Sequence, residues 1–299
     1  MATPPSEPRP MPDRGVSVLH PKGGAKARER VGQVFLHMGL VIIGSLTLIP
    51  IANMLTMSLK NNFQISAHFW ALPNPAMWSN YVTGFQAMWA YIVNSVLVSV
   101  SAMAGVVALS AISGYVFARY SFPGRETIYV FILSLMMIPG MLTLFPSFML
   151  MYQFGLLDTR WALIFPWISG GQVFGILICR GHFASLPQEL FEAARMDGAE
   201  EFAAFWQIAI PLSWPILVTL AMMNLVGTYN DFIWPLIIIS TPSKQVVSVG
   251  LREFMSQFGI SDMGPQMASY VIATIPLLVL FVFGMRYYIQ GITSGAIKA

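Results

Sequence analysis

Six long apolar runs divide this chain, each near the roughly 20 residues a helix needs to cross a bilayer. They extend from about Val34 to Met57, Tyr91 to Ala118, Thr127 to Leu150, Trp161 to Cys179, Pro211 to Ile237 and Met267 to Ile289. Lys60 lies just past the first run and Arg119 closes the second. Residues 61–90 also lack Asp, Glu, Lys and Arg, but Pro73, Pro75 and several Asn and Gln interrupt them. They predict an external loop with short helical pieces, whose Trp70, Trp78, Tyr81 and Trp89 suit a membrane–water interface.

The positive charges orient these runs. With the amino terminus in the cytoplasm, the inside carries 12 Lys and Arg, namely Arg9, Arg14, Lys22, Lys26, Arg28, Arg30, Arg119, Arg125, Arg180, Arg195, Arg286 and Lys298. The outside carries 4: Lys60, Arg160, Lys244 and Arg252. That bias favours both termini inside, as an even number of spans requires. The expectation is an all-α integral membrane protein with six transmembrane helices and both termini cytoplasmic.

Composition points the same way. Hydrophobic residues make up 56% of the 299 and charged residues 10%, against about 25% charged in soluble domains. Residues 1–31 stand apart as a basic, Pro-rich tail without apolar periodicity, expected to be disordered and cytoplasmic. The tail accounts for the small net charge of +3 beside a membrane, so nucleic acid is not an expected partner. The apolar run after it is too long for a signal-peptide core and lacks a small-residue cleavage site, so it reads as a retained helix opening a domain over 32–299. The single cysteine, Cys179, allows neither an intrachain disulfide nor a cysteine-based metal site, and reads as small apolar filler.

Within the spans, Ser101–Gly105 and Ser110–Gly114 have the small-xxx-small spacing that lets helices approach closely. Packing within the chain and contact with a partner subunit both remain open for them. Pro139, Pro146, Gly170 and Gly171 mark expected local irregularities. Asp231 is the carboxylate inside a predicted span, which makes it a functional candidate with its neighbours Asn224, Tyr229 and Asn230. A structural or gating role and direct solute contact are both open for this group. His37 and Asn94 read as packing or capping groups.

The cytoplasmic loop 181–211 carries most of the remaining information. Ser185 and Gln188 have capping-box spacing, with Pro187 in the first turn. They predict a short helix over Gln188–Asp197, ended by Gly198 in a left-handed turn. A second helix is expected over Ala199–Ile208, with Pro211 opening the fifth span. Glu189, Glu192, Asp197, Glu200 and Glu201 face one base, Arg195. An acidic loop is a poor ligand for an anionic membrane surface or for DNA and favours a basic protein partner. Self-packing and membrane docking are the other readings of the loop.

The loop resembles the EAA loop of ABC importer permeases: Glu192-Ala193-Ala194, three residues, Gly198, nine residues, then Ile208-Ala209-Ile210-Pro211, with Ile210 where the family has Leu. Asn94-Ser95, the run Gly114–Arg119, Phe122-Pro123-Gly124, the run Leu186–Leu190, the run Asn230–Pro235 and the ending Gln290–Lys298 resemble the carbohydrate, maltose-type branch. The similarity covers about residues 33–299. It implies the type I importer permease fold in a bacterial inner membrane. It implies a heterodimer with a second permease subunit, seated on an ATPase dimer and fed by an extracellular solute-binding protein. Glu192, Ala193, Ala194, Asp197, Gly198 and Pro211 would couple the chain to the ATPase, and Gln290 and Gly291 would reach between the ATPase subunits. ATP and Mg would be held by that partner, with no cofactor in this chain. Consistently, none of Lys22, Lys26, Lys60, Lys244 and Lys298 has phosphate-loop glycine spacing. A sugar or oligosaccharide is the expected solute. Glycerol phosphate, a polyol or an amino acid is the alternative within the family, and an ion-driven secondary transporter the alternative outside it.

Overall fold

The computed structural model describes residues 23–258 and 262–296, with side chains described over 32–256 and 262–287. Every regular element among them is helical. The expected tail thus lies, up to Lys22, outside the described residues, and the chain is already helical from Gly23. Contacts divide the chain into residues 1–52 and 53–299. The first unit contributes most of helix α1, Gly23–Ser58, whose apolar side chains from Val34 to Ile51 are exposed. Such a surface would be unstable in water and suits lipid or another protein chain.

The second unit begins with the end of α1 and a short helix α2, Asn62–Ala67, capped by Asn61 through a full capping box with Gln64. Lys60, expected on the outer side of the membrane, has a buried side chain. Its ammonium donates to the carbonyls of His68 and Phe69 at 3.0 and 2.8 Å, so backbone dipoles stand in for a counter-ion. Helix α3, Ser79–Arg119, starts twelve residues before the predicted run. Residues 79–90, read as loop because of their polar side chains, extend it. Asn80 explains the difference: its amide is buried and donates to the carbonyls of Ser58 and Lys60, tying the helix start to the preceding turn.

Among the described residues, four helices are long and apolar enough to cross a membrane, and up to six segments qualify if each bent pair counts as one. The first bent pair is α4, Arg125–Ser134, with its short continuation Leu135–Met137, followed by α5, Gly140–Gln153. The two halves meet at 102° beside Pro139, where an irregularity was expected. Pro146, by contrast, is absorbed within α5. Helix α6, Trp161–Ala184, runs unbroken through Gly170 and Gly171, contrary to the irregularity expected there. Gly171 and Gly175 serve close packing instead. A Cβ on Gly171 would come within 2.6 Å of Val106, and one on Gly175 would collide with Ser110. Gly114 on α3 likewise has room only for hydrogen against Cys179 and the Arg180 backbone at 2.9 Å. The Ser110–Gly114 pair therefore packs within the chain, and Gly105 does the same against Ile168.

Helices α7, Gln188–Met196, and α8, Glu201–Leu212, form the loop. Helix α9, Trp214–Asn230, follows at 74° to α8, and then α10, Ile233–Ile238. The predicted fifth run is thus bent at Ser213 and interrupted at Asp231. Helix α11, Val247–Phe258, and α12, Met263–Ala296, complete the unit. Helix α3 packs against α6, α9 and α12.

Asp158, in the turn between α5 and α6, fastens that turn to residues 238–244. Its carboxylate accepts from the amides of Ser240 and Thr241 at 3.0 and 2.8 Å, from the Thr241 hydroxyl, and from Lys244 at 3.0 Å. The Thr241 bonds, then Lys244, hold the carboxyl far below the ordinary carboxylate range. A depressed folded pKa contributes stability that is complete above the unfolded value, near pH 4, and is lost only as pH falls through the folded value. Asp158→Ala is expected to cost about 2 kcal/mol at neutral pH, with a loss that shrinks in strong acid. Thermal unfolding in detergent across pH checks both.

Candidate functional site

Helix α7 has an apolar residue aimed inward and acids aimed outward. Phe191 is 5% exposed and lies among Tyr115, Phe183, Phe205 and Leu217, joining the loop to the ends of α3, α6 and α9. The Arg119 guanidinium sits 4.0 Å over the Phe191 ring and donates to the Leu186 carbonyl at 2.9 Å. Burial of one aromatic ring, about 1.5–3 kcal/mol, thus clamps a nine-residue helix that would not be stable alone.

The predicted capping box does not form. The Ser185 hydroxyl donates back to the His182 carbonyl at 2.8 Å as α6 ends, and the Gln188 side chain reaches forward to Glu192 at 2.7 Å. Pro187 stands at the cap position. The other end follows expectation. Gly198 has φ +81°, its amide bonds to the Arg195 carbonyl and that of Ala199 to the Ala194 carbonyl. This is a Schellman close, and it favours glycine at Gly198. Arg195, the loop's base, pairs with Glu201 at 2.7 Å, and the Tyr120 hydroxyl donates to the same carboxylate at 3.2 Å.

The second helix begins at Glu201 and does not stop at Ile208. A π turn over Phe205–Ala209 carries it on, with the Ile210 amide bonding back to Phe205. Pro211 falls in the turn after, and the change of direction comes at buried Ser213. The loop is therefore rigid from α6 to α9. On its outer side it exposes Glu189, Glu192, Ala193, Asp197 and Glu200, beside Met196, Phe202 and Trp206. Acids around exposed apolar residues suit a protein partner bearing basic groups.

The second group of candidates sits between α6 and α9. The Asp231 carboxylate accepts from the Trp167 indole at 2.8 Å, a partner its neighbours in sequence did not suggest. The Asp231 carbonyl, freed by the helix break, accepts from Ser248 at 2.6 Å. Tyr229 is buried and donates to the Ala273 carbonyl at 2.8 Å, a packing role, and Asn230 bonds within its own helix to Val226. Asn224 lines a recess of about 350 Å³ with Trp167, Gly170, Gly171, Gly227 and Thr228. Of the four candidates, the structure brings Asn224 to the recess and Asp231 to its Trp167 wall. Trp167 was hidden in an apolar run, and a half-buried indole N–H needing an acceptor is the signal that points to it. Asn94, expected to pack or cap, donates to the carbonyls of Ser243 and Gln245 and accepts from Arg160. The side chains of Gln290 and Gly291 lie outside the described residues.

With this geometry in hand, residues 106–294 match the family described as binding-protein-dependent transport system inner membrane component. The chain belongs to this family. It is 31% identical over 97% of its length, and 95% of the relative's, to the probable ABC transporter permease protein YurM of Bacillus subtilis. It is 30% identical to the diacetylchitobiose uptake system permease protein NgcG of Streptomyces coelicolor, over 92% of each chain. The fold is similar to a chain in the crystal structure of a bacterial ABC transporter involved in the import of the acidic polysaccharide alginate. The TM-score is 0.75 at 22% identity, over 87% of this chain and 98% of that one. The chain is a membrane-embedded, multi-helical permease subunit, and loop 181–211 lies inside the matched region.

Proposed function

We propose that the chain forms half of the translocation pathway of an ATP-driven importer for a sugar or oligosaccharide, and that loop 181–211 passes the work of a separate ATPase into the membrane helices. The observation that carries this reading is the loop's construction. An outward face of Glu192, Asp197 and Met196 is locked through Phe191 to three spans, so force on that face moves the spans. Six spans result when each bent pair is counted once, with both termini cytoplasmic, in a heterodimer with a second permease subunit on an ATPase dimer. An extracellular solute-binding protein would deliver the solute at the other side. Gln290 and Gly291 would contact the ATPase pair. Relatives named for diacetylchitobiose, arabinooligosaccharides and maltodextrin support a saccharide. ATP hydrolysis resides in the partner.

Glu192→Lys tests the coupling role. It reverses an exposed charge that accepts a hydrogen bond from Gln188, so insertion and folding should be unaffected. Uptake by the complete importer is expected to fall about tenfold or more through the cost of an unmatched interface charge, with the ATPase still present in the membrane. Wild-type uptake by this variant would sink the assignment.

A further inference from the structure

The recess between α6 and α9 has features that packing within the chain does not explain. Two of its glycines, Gly170 and Gly227, lie in mid-helix, and a Cβ on either would meet nothing within 4 Å. Neither has positive φ. Glycine in a helix interior weakens it relative to alanine, and within the chain these two gain no close contact in return. They keep the recess wide. Gly171 differs, since a Cβ there would come within 2.8 Å of the Asn224 amide nitrogen. The Asn224 amide is thereby seated against the α6 backbone, and its oxygen is buried without a hydrogen-bond partner. Such an acceptor is costly until something donates to it. Beside it stands the Trp167 indole, fixed by its N–H bond to Asp231.

The lining carries no Lys, Arg, Asp or Glu: Pro166, Phe174, Leu220 and Met223 complete its apolar part, and Thr228 has its hydroxyl engaged with main-chain carbonyls. With the Asp231 carboxylate adjacent and no cation in the wall, an anionic ligand would be repelled and unpaired. A volume of about 350 Å³ lies at the small end of the range for small-molecule sites, about 300–1,000 Å³. A larger recess of about 920 Å³, with Thr143, Ser147 and Ser169 in its wall, shares Pro166, Gly170 and Phe174 with it. A longer molecule would have somewhere to continue.

We propose that this recess is a solute subsite for a neutral, hydroxyl-rich ring, which lies against the Trp167 indole and donates a hydroxyl to the Asn224 amide. This rests on the importer reading and narrows it to uncharged saccharides. Asp231 is a positioning residue that holds Trp167.

The test uses the complete importer in proteoliposomes, with this chain, its partner permease, ATPase and binding protein. The probes are radiolabelled maltotriose, diacetylchitobiose, arabinotriose and a uronate trimer. Uptake of at least one neutral probe and exclusion of the uronate are expected. Gly227→Val, which fills the recess, and Trp167→Ala should each lower that uptake about tenfold, one decade for each ~1.4 kcal/mol of lost contact. Trp167→Phe should retain more, and binding-protein-stimulated ATP hydrolysis should persist in all three. Wild-type uptake by Gly227→Val and Trp167→Ala would overturn the subsite and leave the importer reading standing. Failure of Gly227→Val to assemble with the partner permease would overturn it too, by making the recess a subunit contact. Uronate uptake matching the neutral probes, or stimulated hydrolysis with no neutral probe imported, would overturn the neutral class. A wild-type assembly with no ATPase and no uptake would overturn the importer reading itself.

Discussion

Phe191→Ala is expected to abolish uptake while the chain still inserts and still assembles with its ATPase. The ring fills a pocket made by three spans and lies under the Arg119 guanidinium. Removing it should cost about 3–5 kcal/mol of anchoring. A nine-residue helix held by one aromatic ring and a few hydrogen bonds has little else to keep it seated. The exposed acidic face is untouched, so under the proposed coupling role the partner should still bind, but its motion would be spent on a loose loop. ATP hydrolysis should continue with uptake lost, and amide exchange across residues 188–200 should rise sharply. Phe191→Leu, closer in volume, should keep most function, in line with the smaller cost of volume-conserving swaps. Tight coupling in the Ala variant would show that the loop needs no clamp.

The second large effect belongs to Gly198. A residue with a Cβ at φ +81° pays about 1–2 kcal/mol. Proline fixes φ near −65° and removes the amide that bonds to the Arg195 carbonyl, at a cost of about 3 kcal/mol or more. Uptake should therefore fall in the order Gly198, Gly198→Ala, Gly198→Pro, with insertion unchanged and the proline variant uncoupled. Equal uptake by Gly198 and the proline variant would rule out a rigid turn as the link.

Much of this was legible in the chain, and what was not has physical causes. The apolar helices were readable because bilayer thickness fixes a minimum length for such runs, and Gly198 because one turn type demands it. Polar residues misled at both ends of that scheme. Asn80 was read as loop, yet its amide bonds two carbonyls and lets α3 begin early. Lys60 was read only as a charge on the outer side, and nothing in the sequence showed that two carbonyls would hold its ammonium. Ser185 had the right spacing for a cap, but the preceding helix engaged its hydroxyl first. Asp231 was found because a carboxylate in an apolar run is conspicuous. Trp167, 64 residues away, was not, because an indole in such a run looks like any other apolar residue until its N–H needs an acceptor. Gly170 and Gly171 were expected to disturb their helix, and whether a glycine bends a backbone or admits a neighbour depends on what lies opposite.

The hydrogen-only contacts between Gly114 and Cys179, and between Ser110 and Gly175, bear on how the machine moves. Two rods in which a glycine of each receives the other's side chain cannot slide past each other without that side chain meeting a peptide. Under the proposed coupling role, a push delivered at residue 185, where α6 ends, would swing α3 and α6 together as one lever. The pivot lies elsewhere, and the bends at Ser213 and beside Pro139 are where this unit has joints to offer.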